Sequence, residues 1–354
     1  TSQTMHKTEK AVARFNHKMI LWIIREPNPF YDTNYVKTYS KVFTLGASVS
    51  SKRLKMEFKE KSSGRILQYN PAIIYSPGVF VNTSLVGFSI MPGFAGIHEN
   101  SVKKGTSDFN DYQFNIFTRR FLFDISLQLY SGFYLSNTRS YKEYAFDEMK
   151  ENYYKRPDLD AISGNFNIFY VFNNRKFSSR APFSFTQSQV KSAGSCIIGT
   201  YLSDFAFTAD SSVVGSQIQG LFSTFPFMKS GNSFSTGLSF GYAYTFVAKK
   251  KFYVSIALIP GLGFNKLSLE RTDYTTLTGD NEISAKLKST FGIGYNNSKW
   301  FWGCMFISDN YFSSSASVPM EVQYQISKFR FFAGRRFNAK KVEDTILKKA
   351  GIHL

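Results

Sequence analysis

Two short polar groupings stand out in a chain otherwise rich in aromatic and aliphatic residues. Arg156-Pro157-Asp158 places a guanidinium two residues from a carboxylate. The stretch Thr186 to Ser195 gathers Gln187, Gln189 and Lys191, with Arg180 shortly before it. Cations and amides of this kind could line or close a lumen and bind an anionic or sugar ligand. The plainer reading pairs Asp158 with an arginine and commits the glutamines, lysine and serines to internal hydrogen bonds, which buried polar groups demand in any case. Further candidates are single polar positions inside otherwise apolar segments: Lys55 and Glu57, Asp124 and Gln128, Lys286 and Lys288, and Arg330.

Catalytic and metal chemistry find little footing. His98 beside Glu99 is the one loop His–acid pair, and no GxSxG elbow accompanies it. No catalytic residue is therefore assigned. His6, His17, His98 and His353 are far apart in sequence, and no Cys/His cluster has metal-ligand spacing, so neither metal nor cofactor is expected. Cys196 and Cys304 each sit in an apolar strand pattern, and a single disulfide would require those strands to adjoin.

The elements that must position these residues announce themselves by alternation. From Asn232, every second residue is large: Phe234, Thr236, Leu238, Phe240, Tyr242, Tyr244, Phe246. Between them lie Ser235, Gly237, Ser239, Gly241, Ala243 and Thr245. After a lysine turn, Phe252, Val254, Ile256 and Leu258 resume the pattern. A period of two means β-strand. Small residues would leave a soluble core almost empty, so the bulky face is expected on lipid and the small face on a polar lumen. The inner face of this hairpin is read as lacking any chargeable group before Lys266. Strands of about 16 residues are also long for a globular sheet.

Composition agrees. The 354 residues include 38 Phe and 21 Tyr, and aromatics reach 18%. Mean hydropathy is slightly negative, as expected where apolar and polar positions alternate. No apolar run reaches the length of a transmembrane helix. The net charge of +18 is spread through turns and loops, with no basic helix or nucleic-acid motif, so lipid head groups and lipopolysaccharide phosphates are the expected counter-charge and nucleic acid is not. No signal peptide is visible, and a start at Thr1 is read as a processed mature form.

Along the chain, residues 1–38 form an N-terminal cap or plug segment. Lys7 to Ile24 reads as an amphipathic helix, with Phe15, Met19 and Trp22 as partner-binding candidates. Residues 39–337 form the transmembrane barrel, and 338–354 a basic periplasmic tail helix. A strand over Val42 to Ser50 is followed by a turn at Ser51-Lys52. Leu54, Met56 and Phe58 then alternate with Lys55, Glu57 and Lys59, the charged set being read as lumenal. Phe177 to Phe185 reads as a strand, 136–158 as a long loop, and 186–230 as the least regular part. Trp300, Phe301 and Trp302 read as an interfacial aromatic belt. The fold class is all-β: an antiparallel outer-membrane β-barrel of about 14 strands, within a range of 12 to 16, with short terminal helices.

YDTNYV near residue 31, RPDL at 156–159, FSSRAPFSFTQSQVKSAGS at 177–195, GYAYTFV at 241–247 and PGLGFN at 260–265 together resemble one family of Bacteroidota proteins known as domain of unknown function 4421. The similarity spans most of residues 30–337. It implies a secreted multi-pass barrel of the Gram-negative outer membrane and carries over no catalytic residue. The expected role is a non-enzymatic accessory or scaffold subunit of an envelope complex, touching outer-membrane lipid, lipopolysaccharide and protein partners. The alternatives are a passive channel or small-solute transporter and, second, a lipid-modifying enzyme.

Overall fold

The computed structural model describes residues 31–39, 42–92, 97–98, 101–118, 120–223, 226–313 and 316–338. The expected terminal helices, with Phe15, Met19 and Trp22, lie outside the described residues. The strands, in chain order, are β1 (Val36–Thr38), β2 (Val42–Glu60), β3 (Ile66–Asn70), β4 (Ile73–Asn82), β5 (Val86–Pro92), β6 (Ile97–His98), β7 (Asp108–Phe117), β8 (Phe121–Leu135), β9 (Lys155–Val171), β10 (Gln187–Gln189), β11 (Ala193–Thr208), β12 (Met228–Ala248), β13 (Phe252–Arg271), β14 (Thr276–Thr278), β15 (Glu282–Asn296), β16 (Trp300–Ser313) and β17 (Met320–Asn338).

Strand β2 pairs antiparallel with β17. From there the sheet runs through β16, β15, β13, β12, β11, β9, β8, β7 and β5 to β4, and β4 pairs back onto β2. Twelve strands thus close a ring within a fifteen-stranded sheet, inside the expected range. Closure satisfies the backbone of the wall without leaving a sheet edge. At one end β3 pairs with both β2 and β8, bypassing β4, β5 and β7. That mouth is therefore narrower than the opposite one, since barrel diameter follows strand number.

The hairpin β12–β13 forms as its alternation predicts, in continuous register from Ala248↔Phe252 to Ser230↔Glu270. Lys249 and Lys250 take positive φ in its turn, where their side chains can stay in water. Leu238 and Leu262 are 68% and 67% exposed on the outer face, while Ser233, Ser235, Ser239, Thr245 and Ser255 are buried inside. Lys266 corrects the sequence reading: it falls on the outward face, beyond the last outward phenylalanine, Phe264.

Both ends of the ring's chain lie at one mouth, where Val42 pairs with Asn338. That mouth also carries the short turns at 83–85, 249–251 and 297–299. The opposite mouth carries the longer connections, including 136–154 and 209–227. In bacterial barrels the short turns are periplasmic and the long loops extracellular, which orients the molecule.

The two halves of the wall have opposite polarity. In the periplasmic half of β2, Leu45 and Val49 face out while Thr44, Ser48 and Ser50 face in. Beyond Lys52 the faces exchange chemistry: Leu54, Met56 and Phe58 are fully buried inside, and Arg53, Lys55, Glu57 and Lys59 point outward. Strand β17 does the same, with Phe329 and Phe331 outward below Lys328, and Ile326, Tyr324, Val322 and Met320 inward above it. This overturns the lumenal placement of Lys55 and Glu57. It also removes the turn expected at Ser51-Lys52, because β2 is one strand of 19 residues. The outward apolar half is the membrane zone; the outward polar half stands in water, and there the ring encloses an ordinary hydrophobic core. The protein is a multi-pass outer-membrane β-barrel. Trp300 and Trp302 face outward near its periplasmic edge, with Phe301 fully buried inside, and Trp302 stacks on Tyr295 at 5.8 Å between ring centroids, an interfacial girdle.

The connection between β9 and β11 does not form the strand expected from Phe177 to Phe185. It folds as turns into the periplasmic mouth. Phe185, at a φ of 56°, stacks on Phe301 at 4.2 Å and packs on Phe332 at 4.8 Å. Strand β10 within it pairs with β1. This plug brings residues from between β9 and β11 against β16 and β17, closing that end.

Candidate functional site

Polarity reverses across a layer of inward-facing charges, and each member is placed by the period of two on its own strand. Lys52 (β2) and Lys328 (β17) are direct cross-strand partners. Two like charges so placed repel, and Asp111 from β7 answers both. Its carboxylate lies 2.5 Å from Lys52 Nζ and 3.5 Å from Lys328 Nζ. Lys328 Nζ also donates to Gln113 Oε1 at 3.1 Å. Lys52 and Asp111 are only 1% and 2% exposed, a buried ion pair.

A second triad faces the first. Lys288 Nζ (β15) donates to Asp124 (β8) at 3.2 Å and to Asp309 (β16) at 3.0 Å. Lys286 Nζ donates to Asn167 Oδ1 at 2.5 Å and lies over the rings of Tyr201 and Tyr311, at 4.6 and 4.9 Å from their centroids. Tyr311 donates to Asn165 Oδ1 at 2.7 Å, and Ser203 bridges Asn165 to the Tyr324 hydroxyl at 2.7 Å on each side. Tyr311 and Tyr324 stack at 4.5 Å. These contacts cross the lumen from wall to wall. Chemically the layer is a set of charge-assisted struts.

The sequence-selected residues separate into four places. Asp124, Gln128, Lys286, Lys288 and Arg330 face the interior at or beside this layer, with Gln128 paired in register with Asp111. Arg156 and Asp158 lie at the extracellular end. There Arg156 donates from Nε and Nη2 to the two Asp158 oxygens at 2.8 Å each, and from Nη1 to the Ser212 carbonyl at 2.5 Å. Asp158 accepts from Asp210 N at 3.2 Å, so the pair fastens the 209–227 loop over the mouth. Arg180, Gln187, Gln189 and Lys191 belong to the plug. Gln189 accepts from Ser178 N at 2.9 Å and donates to the Lys176 carbonyl at 2.6 Å; Gln187 accepts from Ser178 Oγ at 2.5 Å; Arg180 donates to the Phe117 carbonyl at 3.2 Å. Arg336 donates to the Phe185 carbonyl at 2.6 Å. Lys191 lies over the Tyr35 ring at 4.8 Å. Lys55 and Glu57 pair with each other at 2.8 Å on the outer, water-facing wall. RPD and TQSQVKS therefore do not converge on one ligand; they secure opposite ends.

Sequence reasoning missed Lys52, Asp111, Asp309, Lys328, Asn165 and Asn167. The available signal was a chargeable or amide residue replacing a small one at an inward position of a long alternating strand. Lys52 was hidden by being read as a turn.

In the extracellular loops, Tyr144 stacks on Tyr154 at 4.5 Å, and burial pushes the Tyr144 phenol well above its ordinary range. Tyr141 is pushed up to about 12, chiefly by burial. Glu151 is held below the usual carboxylate range by the Lys103 ammonium, which donates to it at 2.6 Å. Cys196 and Cys304 are unbridged, on β11 and β16, which do not adjoin. Among the described residues no group of three or more His, Cys, Asp or Glu could hold a metal ion. Glu99, of the expected His98–Glu99 pair, lies outside the described residues.

Residues 30–337 match the family described as "Domain of unknown function (DUF4421)". No curated protein matches the chain. Solved structures similar to it include the outer membrane protease OmpT from Escherichia coli, at 8% identity over 86% of this chain and 99% of that one, with a TM-score of 0.37. The Pseudomonas putida toluene transporter TodX is 9% identical over 86% and 90%, at 0.28. The translocator domain of the autotransporter NalP from Neisseria meningitidis is 7% identical over 94% and 98%, at 0.33. The barrel assignment rests on the closed strand pairing and the outward apolar zone described above.

Proposed function

The chain belongs to that family, and we propose that it acts as a non-enzymatic accessory or scaffold subunit of an outer-membrane complex serving envelope protein assembly, secretion or transport. One observation carries this reading: the lumen is occupied along its length. An apolar core fills the extracellular half, two crossing ion triads fill the middle, and the 172–192 plug fills the periplasmic mouth. Such a barrel offers partners its outer wall, its loops and its periplasmic face rather than a passage. The lysines at 249–251 and Arg335, near the periplasmic end of the wall, suit anionic head groups. Arg156 fastens the connection after β11 through the Ser212 carbonyl, and Tyr141 of the 136–154 loop packs on its Phe222, giving partners an extracellular face.

Native purification in mild detergent followed by mass spectrometry tests the proposal. Stoichiometric protein partners are expected, and a barrel that always purifies alone refutes it. In planar bilayers the purified protein is expected to be silent; discrete conductance would favour the passive-channel reading instead.

A further inference from the structure

Beside the first triad, between the membrane-zone wall and the plug, lies a cavity of about 50 Å³. Lys328, Arg330, Gln113 and Asn115 are among its polar lining, and Phe80 and Phe185 are among its aromatic lining. The Arg330 guanidinium lies 4.3 Å from the Phe80 ring centroid. Its Nε and Nη2 are buried and donate to no partner among the described residues. Arginine N–H groups left this way are costly, and these sit on a side chain that lines the cavity.

Charge points the same way. At this level Lys52, Lys286, Lys288, Lys328 and Arg330 face Asp111, Asp124 and Asp309 among the described residues. Both carboxylates of the second triad are taken up by Lys288. Asp111 is shared by Lys52 and Lys328. Among the described residues Arg330 forms no ion pair of its own, and Asp111, already shared by two lysines, acts on it only at longer range. Water could accept its protons but would leave the charge uncompensated in a poorly solvated interior. A single water needs roughly 10–15 Å³ of such space; the cavity offers more than that, yet is far too small for a sugar phosphate or lipid head group.

We propose that this cavity is a binding site for one small monovalent inorganic anion of the chloride type. The anion accepts from Arg330 Nε and Nη2, sits beside the Lys328 ammonium and the Gln113 and Asn115 amides, and rests against the Phe185 ring of the plug. It couples the plug to the charged layer, since both walls of the site would be held by one ion.

Two measurements on the full-length barrel in detergent test this. Crystals grown with bromide in place of chloride are expected to show an anomalous peak in the cavity within hydrogen-bond reach of Arg330; a cavity empty of bromide overturns the proposal. The thermal midpoint, followed at constant ionic strength with gluconate as the replacing anion, is expected to rise with the logarithm of chloride concentration. Arg330→Gln is expected to abolish that slope. An unchanged slope in Arg330→Gln, or none in the wild type, also overturns it. Should Arg330→Gln not fold, the bromide experiment on the wild-type protein decides alone.

Discussion

Replacing Asp111 by Asn keeps the side chain's size and removes one charge between two lysines. In the native barrel the carboxylate lies 2.5 Å from Lys52 and 3.5 Å from Lys328. One such attraction at an effective dielectric constant of 20 is worth about 4 kcal/mol at 4 Å before desolvation is subtracted. Breaking a buried pair by removing one partner typically costs about 3–5 kcal/mol, because the remaining charge is left uncompensated. Here two ammoniums remain, cross-strand neighbours on β2 and β17, so Asp111→Asn is expected to cost about 3–5 kcal/mol. Lys328→Met is the control. It leaves the closer Lys52–Asp111 contact intact and strips only the longer one and the bond to Gln113, a loss of about 1 kcal/mol. In the double variant Asp111→Asn with Lys328→Met, one of the repelling cations is gone. Its cost is therefore expected to fall below the sum of the singles, by about 0.5–3 kcal/mol. Reversible urea unfolding in lipid vesicles, followed by tryptophan fluorescence and by the gel mobility of the folded barrel, measures all three. If Asp111→Asn costs under about 1 kcal/mol, or the costs simply add, the shared-counter-ion account is wrong.

Placing Arg at Leu238, 68% exposed on the lipid-facing wall, is expected to cost about 2–4 kcal/mol in the same unfolding assay. On β2, above the inversion, Met56→Ala is expected to lose about 2–5 kcal/mol, whereas Glu57→Ala stays within about 0.5 kcal/mol; equal costs would deny the inverted zone. Phe185→Ala removes the ring stacked on Phe301 and is expected to speed amide hydrogen exchange across 177–189 at least tenfold, with strands β12 and β13 unchanged. Glu151 is expected to titrate below the ordinary glutamate value because Lys103 stabilises its charged form. That contact is present above the unfolded-state value and is lost as pH falls through the lower folded one. Carboxyl NMR titration of Lys103→Gln should show Glu151 moving back up.

Strand alternation made most of the wall readable in advance. In β12 and β13 every second side chain is bulky, and nothing but a lipid-facing strand pair explains that face. Which face points inward was legible only where the outer solvent is lipid. On β2 and β17 the period of two continues unbroken through Lys52 and Lys328, while the solvent outside changes from hydrocarbon to water. A local pattern carries no signal of that change, so alternation alone puts Lys55 and Glu57 in the lumen. The plug defeated the reading for another reason. FSSRAPFSF alternates like a strand, yet Pro182 cannot donate to a ladder and Phe185 adopts a left-handed backbone, held there by aromatic rings from β4, β16 and β17. Its structure is set by distant contacts. Each ion triad likewise contains one pair more than a hundred positions apart, Lys288 with Asp124 and Lys328 with Asp111.

The height of the outward apolar zone is uneven around the ring. On β12 it runs from Phe234 to Phe246, whereas on β2, at the seam with β17, it spans Phe43 to Val49. A bilayer of uniform thickness cannot match both sides of such a hull. The mismatch is relieved by tilting the barrel or by thinning the lipid beside the seam, each at a fraction of a kcal/mol per ångström. The hull therefore meets its bilayer unevenly, and the β2–β17 seam is the side on which tilt or thinned lipid must make up the difference.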